Sequence, residues 1–245
     1  AQHEGADIGV VSVVVNGGLS EAVAARAARS VIRVERPGRN IGFAAACNLG
    51  ASAGSGEHLL FLNPDTKVSA RALSAASAAL SEPGRERVGI CGVALRTADG
   101  TVARSCSQFP TLRHVLHKAL GLGRLSPARF GTGFMLDWDH ASTRTVDCVM
   151  GAFFFVRRDL FARLGGFDER FFVYYEDLDL ARRARDLGYD TLFVHDASIL
   201  HVGRATTDRI PGTRLRYLLA SRAAYMRKHF GAGAALATWL VSMGI

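Results

Sequence analysis

Apolar and polar positions change period several times along the chain, and each change marks an element. "GVVSVVV" (9–15) is rich in β-branched residues and ends in "NGG", which predicts a buried strand running into a turn. "LSEAVAARAARS" has alanine-rich helical character, and "VIRVE" follows as a short strand. "RPGRNIGFAAACNLGASAG" holds a glycine-rich turn and then a short helix. "EHLLFLNPDT" reads as a strand closed by a turn whose Asn-Pro-Asp fixes the backbone. "SARALSAASAALSE" predicts a helix capped by Ser69, and "RVGICGVALRT" another apolar strand. Residues 107–145 lose any steady period and carry Pro110 and Pro127, so they read as an irregular loop or connector. "TVDCVMGAFFFVRRDLFARLGGFD" predicts a strand, a helix and a glycine stop. A helix from about Glu176 to Leu187 stops at Gly188, and the basic helix "TRLRYLLASRAAYMRKHFG" leads into an apolar tail. No internal repeat is visible.

Strands alternating with helices at short intervals predict an α/β fold with a largely parallel sheet. Such sheets take ligands beyond the carboxyl ends of their strands, which puts "NGG" and "NPD" at one edge.

Composition narrows the class. The 245 residues are 49% hydrophobic and 21% charged, ordinary for a globular chain that can bury a real core. The net charge is +8, and only Lys67, Lys118 and Lys228 are lysines. An arginine excess suits phosphate-bearing partners, although genomic coding bias produces the same excess. A nucleic-acid-binding protein is disfavoured because no recognised motif accompanies the charge. A dinucleotide oxidoreductase is disfavoured because no GxGxxG joins the first strand to its helix. Four scattered cysteines without CxxC spacing read as buried thiols in a reducing compartment. The first residues lack signal-peptide features, and no run reaches the ~20 apolar residues of a membrane span. These features predict a cytoplasmic protein. The tail "GAGAALATWLVSMGI" is either a packed helix or a membrane-contacting segment, giving peripheral contact with the inner face of the membrane.

The candidate chemistry lies in "FFVYYEDLDL". Acids in a first helical turn complement the helix dipole, which accounts for Asp179; it also stands four residues before Arg183, an ion-pair spacing. Asp177 instead lies on the line Asp177, Leu180, Ala184, Leu187, the stripe that should face the core. A carboxylate there needs hydrogen bonds or a cleft, and at a helix mouth walled by aromatics it is a natural general base. His201 after a strand is either an ordinary surface histidine or a metal ligand with Asp65, a donor pair that suits Mn or Mg.

In order and spacing, "RNIGFAAACNLG", "LLFLNPDT", "VMGAFFFVRRDLFARLGGFDERFFVYYEDLDLARRARDLGY" and "ILHVG" resemble bacterial family 2 glycosyltransferases, most nearly their rhamnosyltransferase subgroup. The resemblance runs from about residue 10 to 210. It implies a GT-A fold, a Rossmann-related, mixed and mostly parallel sheet flanked by helices, and inverting transfer from a nucleoside-diphosphate sugar. The implied donor is dTDP-rhamnose, with a UDP-sugar as the alternative, and the implied acceptor a polyprenyl-linked or polysaccharide glycan of the cell envelope. By the same resemblance Asn16, Gly17, Arg39, Asn40, Gly42, Phe43 and Asn48 cradle the nucleotide. Asn63 and Asp65 stand at the DxD-like motif, with a neutral residue in its first position. Asp65 and His201 hold a divalent metal, and Gly151 and Ala152 line the donor-sugar pocket. Asp177 is the base, and Glu176 beside it orients the acceptor.

The implied division is a donor half (1–110), a connector (111–145), an acceptor and catalytic half (146–210) and a C-terminal basic helix with its tail (211–245). One departure stands out. "VVSVVVNGG" sits where the family's second strand belongs, so the first strand–helix unit is expected to be absent, and Val15 replaces a nucleobase-contacting aspartate. In the other register the second unit is the absent one. That departure supports an alternative reading, a degenerate glycosyltransferase-fold protein that binds without catalysing.

Overall fold

The structure, a computed structural model, describes residues 8–16, 32–122, 125–126, 133, 135, 137–202 and 211–242. The strands in chain order are β1 (Val11–Val14), β2 (Ile32–Glu35), β3 (His58–Leu62), β4 (Thr66–Lys67), β5 (Val88–Arg96), β6 (Cys106–Ser107), β7 (Arg144–Val146), β8 (Cys148–Val149), β9 (Phe153–Arg157) and β10 (Asp190–His201). The helices are α1 (Phe43–Ala51), α2 (Ala70–Ser81), α3 (Leu112–Ala119), α4 (Arg158–Arg163), α5 (Glu176–Asp186), α6 (Pro211–Phe230) and α7 (Ala232–Ser242). The helix expected over 19–30 lies outside the described residues.

The central sheet runs β3-β9-β5-β10-β4, with β7 also on β10. The sequence predicted a mixed, mostly parallel sheet; the observed one is mixed, but most of its pairings are antiparallel. β5 and β10 pair in parallel, but β9 enters between β3 and β5 antiparallel to both. The physical reason lies in the excursion after β5. It leaves and returns at the same edge of the sheet, so the returning strand must run back.

Alternation in β9 feeds two cores. Phe154 packs with Phe61, Phe161 and Phe167 on one face, under α1, α4 and α5. Phe153 and Phe155 face the other way onto α2, with Leu80, Leu95 and Ile199. A strand buried on both faces needs apolar residues throughout, and β5 is buried at every position except Arg96. The Ser69 cap of α2 is present: its hydroxyl accepts the Ala72 amide at 3.2 Å.

β1 and β2 form a separate parallel pair that shares no hydrogen-bonded ladder with the central sheet among the described residues. The expected absence of a first strand–helix unit is not shown. The connector expected to be irregular holds α3, whose entry is marked by Thr111 hydroxyl contacts to His114.

The line of residues expected to face the core holds for Leu180 and Ala184, which are buried, but fails at Leu187, which is exposed. The position assigned to Asp179 is also corrected. Its ion pair with Arg183 is present at 2.7 Å, yet Asp179 is fully buried, because α6 lies across it. Lys228 and His229 of α6 approach its other oxygen at 2.7 and 2.9 Å. Burial pushes this carboxyl up, but His229, Arg183 and Lys228 outweigh it and hold the group below its usual range. A depressed carboxylate contributes stability that is present above the unfolded range of ~3.9 and is lost as pH falls through the lower folded value. Asp179→Ala is expected to cost about 3–5 kcal/mol in urea unfolding, because it removes the buried carboxylate that Arg183, Lys228 and His229 share. Asp186→Ala, which breaks only the exposed pair with Arg182, is expected to change stability by less than about 0.5 kcal/mol.

Candidate active site

β3, β5 and β10 all end at the edge where β9 begins, and the candidate residues collect there. Beyond β3, the Asn63 carbonyl accepts both the amide and the hydroxyl of Thr66, at 3.3 and 2.7 Å. That closes the Asn-Pro-Asp turn. The Asn63 amide donates to the Ala152 carbonyl at 3.3 Å, tying the turn to the start of β9. β4 then pairs back onto the end of β10, with Thr66 opposite His201. This pairing brings the Asp65 carboxylate to 3.4 Å from His201 Nε2, both side chains partly open.

Asp65 and His201 therefore present an oxygen and an imidazole nitrogen side by side, a donor set that fits Mn or Mg. No group of three His, Cys, Asp or Glu side chains suited to a metal occurs among the described residues. Two protein donors fit an ion whose remaining positions are filled by phosphate oxygens.

α5 starts sharply. Tyr174 and Tyr175 both adopt left-handed backbone, at φ 68° and 71°, a costly conformation for aromatic residues. The reversal drops Glu176 and Asp177 at the sheet edge. Asp177 accepts the Gly151 amide at 3.0 Å and the Leu178 amide at 2.8 Å, one on each oxygen. A Cβ at Gly151 would lie 3.5 Å from the carboxylate, an ordinary van der Waals contact, so the hydrogen bond does not itself require glycine. Gly151, Ala152 and Asn63 thus form a continuous backbone seam between Asp177 and Asp65.

The two adjacent acids have different surroundings. Glu176 is buried, and its Oε2 has no hydrogen-bond partner among the described residues. Burial and the Asp177 charge push the Glu176 carboxyl well above its ordinary range. Burial raises Asp177 also, while the Leu178 and Gly151 amides pull it back toward ionisation. Two carboxyls whose environments separate them in this way divide into a protonated partner and an ionised base.

The Asn16 amide group donates to the Gly42 carbonyl at 2.8 Å, and its oxygen accepts the Ile41 amide at 2.7 Å. Asn40 accepts the Gly42 amide, and Arg39 lies exposed at the rim. Gly42 sits at φ 87°, ψ 167°, where only glycine is comfortable; a Cβ there would meet the Phe172 carbonyl at 2.6 Å. The Phe43 amide donates to that same carbonyl, and its ring reaches toward Gly151. The segment 40–43 is thereby locked onto the strip of chain that leads into α5. Asn48 points elsewhere: its amide holds Phe167 and Glu169. Gly17 lies outside the described residues.

The sequence reading missed the part played by α6. Tyr217 stacks on Phe172, the Ser221 hydroxyl donates to the Val173 carbonyl, Tyr225 packs on Tyr175, and His229 meets Asp179. These four recur every fourth residue, so the line was present in the sequence as a helical stripe.

The family described as Glycosyltransferase like family 2 matches residues 6–220. This chain belongs to glycosyltransferase family 2. It is 32% identical over 197 residues to the N-acetylglucosaminyl-diphospho-decaprenol L-rhamnosyltransferase of Mycobacterium tuberculosis, covering 75% of this chain and 63% of the relative. It is also 32% identical over 167 residues to the O-antigen biosynthesis protein RfbC of Myxococcus xanthus, over 67% of this chain and 12% of that one. The chain therefore spans about three-fifths of the mycobacterial relative. Among solved structures, GalNAc-T7 with UDP, GalNAc and Mn2+ aligns at TM-score 0.62 and 16% identity, covering 89% of this chain and 41% of that one. The mannosyltransferase PcManGT of Pyrobaculum calidifontis, with GDP-Man and Mn2+, aligns at 0.56 and 18%, covering 95% and 60%. These two likenesses establish the GT-A fold.

The candidate site generates four predictions. Asp177→Asn should lower kcat by about 10²–10⁴-fold, whereas Glu176→Gln, the neutral isostere of a protonated acid, should lose less than about tenfold. The acid limb of kcat/KM should lie above the ordinary aspartate value of ~3.9. A raised carboxyl favours the protonated folded state, so its stability contribution is lost as pH rises through the folded value. The Tm of Glu176→Gln should therefore gain on wild type as pH rises above the ordinary glutamate value of ~4.3. Gly42→Ala introduces strain of about 1–3 kcal/mol and should weaken nucleotide binding about fivefold or more by calorimetry.

Proposed function

We propose that this chain carries out inverting transfer of a sugar, rhamnose favoured, from a nucleoside diphosphate to a polyprenyl-linked or polysaccharide acceptor in cell-envelope glycan synthesis. The observation that carries the reading is the seam at the sheet edge, with an amide-held carboxylate at one end and the Asp65–His201 pair at the other. The mycobacterial relative supports rhamnose and a lipid-linked acceptor by its own described activity.

Asp177 takes the proton of an acceptor hydroxyl as that oxygen attacks the anomeric carbon opposite the departing phosphate. The Gly151 amide fixes the carboxylate and leaves its open side toward the cleft. Glu176, protonated, offers a hydrogen bond and adds no second negative charge beside the base. The Asn16-held loop with Arg39 and Asn40 receives the nucleotide, and Gly151 and Ala152 bound the sugar. Asp65 and His201 would hold a Mg or Mn ion, which when bound offsets charge on the diphosphate.

A second reading, binding without turnover, is favoured by one observation: β1 and β2 stand apart from the central sheet, with Val15 following β1. One experiment separates the two. Incubated with dTDP-rhamnose, a diphosphate-linked acceptor and Mn, wild type should transfer rhamnose, and EDTA or Asp65→Ala should cut the rate at least tenfold. Sugar or partner binding with neither transfer nor nucleotide binding would select the second reading.

A further inference from the structure

Helix α7, "AGAALATWLVS", contains no charged residue, and it turns only Ala234 and Thr238 fully inward. A helix apolar on all sides is ordinarily buried, yet the outer face of this one is open. Beside it lies α3, with which it is in contact. Val115 of α3 and Ala234 of α7 share one inner cluster, so the opposite faces of both helices point away from the protein. Those faces carry Leu112, Leu116, Leu120, Leu236, Trp239 and Leu240, each 40–62% exposed. On α3 the leucines recur at every fourth residue, a single line along the surface.

Charge selects the occupant. Residues 100–136 and 209–245 contain eleven of the thirty Lys and Arg and none of the twenty-two Asp and Glu. The remainder of the chain is thus net acidic, nineteen cations against twenty-two anions. Lys228 pairs internally with Asp168 and Asp179, while Arg113 of α3 and Arg227 near the end of α6 are exposed. Apolar side chains including a tryptophan, on helices that contain no Asp or Glu and carry exposed arginines, form a pattern that beds into an anionic bilayer interface. Among the described residues no helix is long and apolar enough to cross a membrane. We infer that the α3–α7 face docks the protein on an anionic lipid surface.

The inner side of the same helices gives the docking a purpose. Their shared cluster includes Phe171 and Tyr225 and packs against Tyr175 and Leu178, which flank Glu176 and Asp177. One layer of side chains separates the proposed lipid contact from the carboxylates. The inference deepens the functional reading, since a polyprenyl-linked acceptor resides in such a surface, but its test needs no sugar.

The test is co-sedimentation with vesicles of phosphatidylcholine containing 30% phosphatidylglycerol, against pure phosphatidylcholine, at low and high salt. Wild type should bind the anionic vesicles at least tenfold more tightly, lose that preference in high salt, and show a blue shift of tryptophan emission. Leu116→Glu/Trp239→Glu should abolish binding while far-UV circular dichroism stays unchanged; should that variant misfold, Leu112→Ser/Leu116→Ser replaces it. Equal binding to both vesicles, no binding, or undiminished binding by the folded variant would overturn the inference. So would a wild-type dimer in lipid-free buffer that the same variant dissociates, which would assign the face to a second copy. Vesicle binding without rhamnosyl transfer upholds the docking face and counts against the functional reading alone.

Discussion

Two backbone amides hold the candidate base, and only one of them, that of Gly151, comes from outside its own helix. Its hydrogen bond to Asp177 joins the mouth of α5 to the start of β9. Everything at the sheet edge is measured from that bond. Through Ala152 it reaches Asn63 and the Asp65 turn, and through Phe43 and Phe172 it reaches the loop held by Asn16. A carboxylate that desolvation would otherwise neutralise stays usable because an amide faces each of its oxygens.

The three acids of α5 illustrate how rotation about a helix assigns chemistry. Consecutive positions differ by roughly 100°, so neighbours in sequence meet unlike surroundings. Glu176 points into a place with no partner for one oxygen, Asp177 toward the Gly151 amide at the sheet edge, and Asp179 under α6 beside Arg183, Lys228 and His229. The last of these is structural but not incidental. α6 lies along the strip from Phe172 to Asp179, and that strip contains the two tyrosines in left-handed conformation. Strained backbone persists where surrounding contacts over-determine it, and here the contacts come from Tyr217, Ser221, Tyr225 and His229.

Much of this was legible in the sequence because it is local. The Ser69 cap, the glycine stop of α5 and the strand before Asn-Pro-Asp each depend on a few neighbouring residues. The helical period set Asp177 apart from its neighbours but misplaced Asp179, which is buried, and Leu187, which is exposed. What sequence could not carry was long-range. The meeting of Asp65 with His201 depends on β4 folding back onto β10, and the burial of Asp179 depends on α6 arriving from beyond residue 210. The direction of β9 was misread because "AFFFVR" is equally apolar whichever way it runs. α3 was missed because prolines and glycines around it mask a helix of eight residues.

The antiparallel entry of β9 has an outcome for how such a protein can diversify. The chain departs the sheet after Arg96, rejoins it first where β7 pairs with β10, and then enters between β3 and β5 at Phe153. Segments between those points can lengthen, shorten or change partner without shifting Gly151 relative to Asn63, because both are pinned to strands that remain in place. Evolution can therefore retune what the outer helices touch while the sugar-activating edge keeps its dimensions.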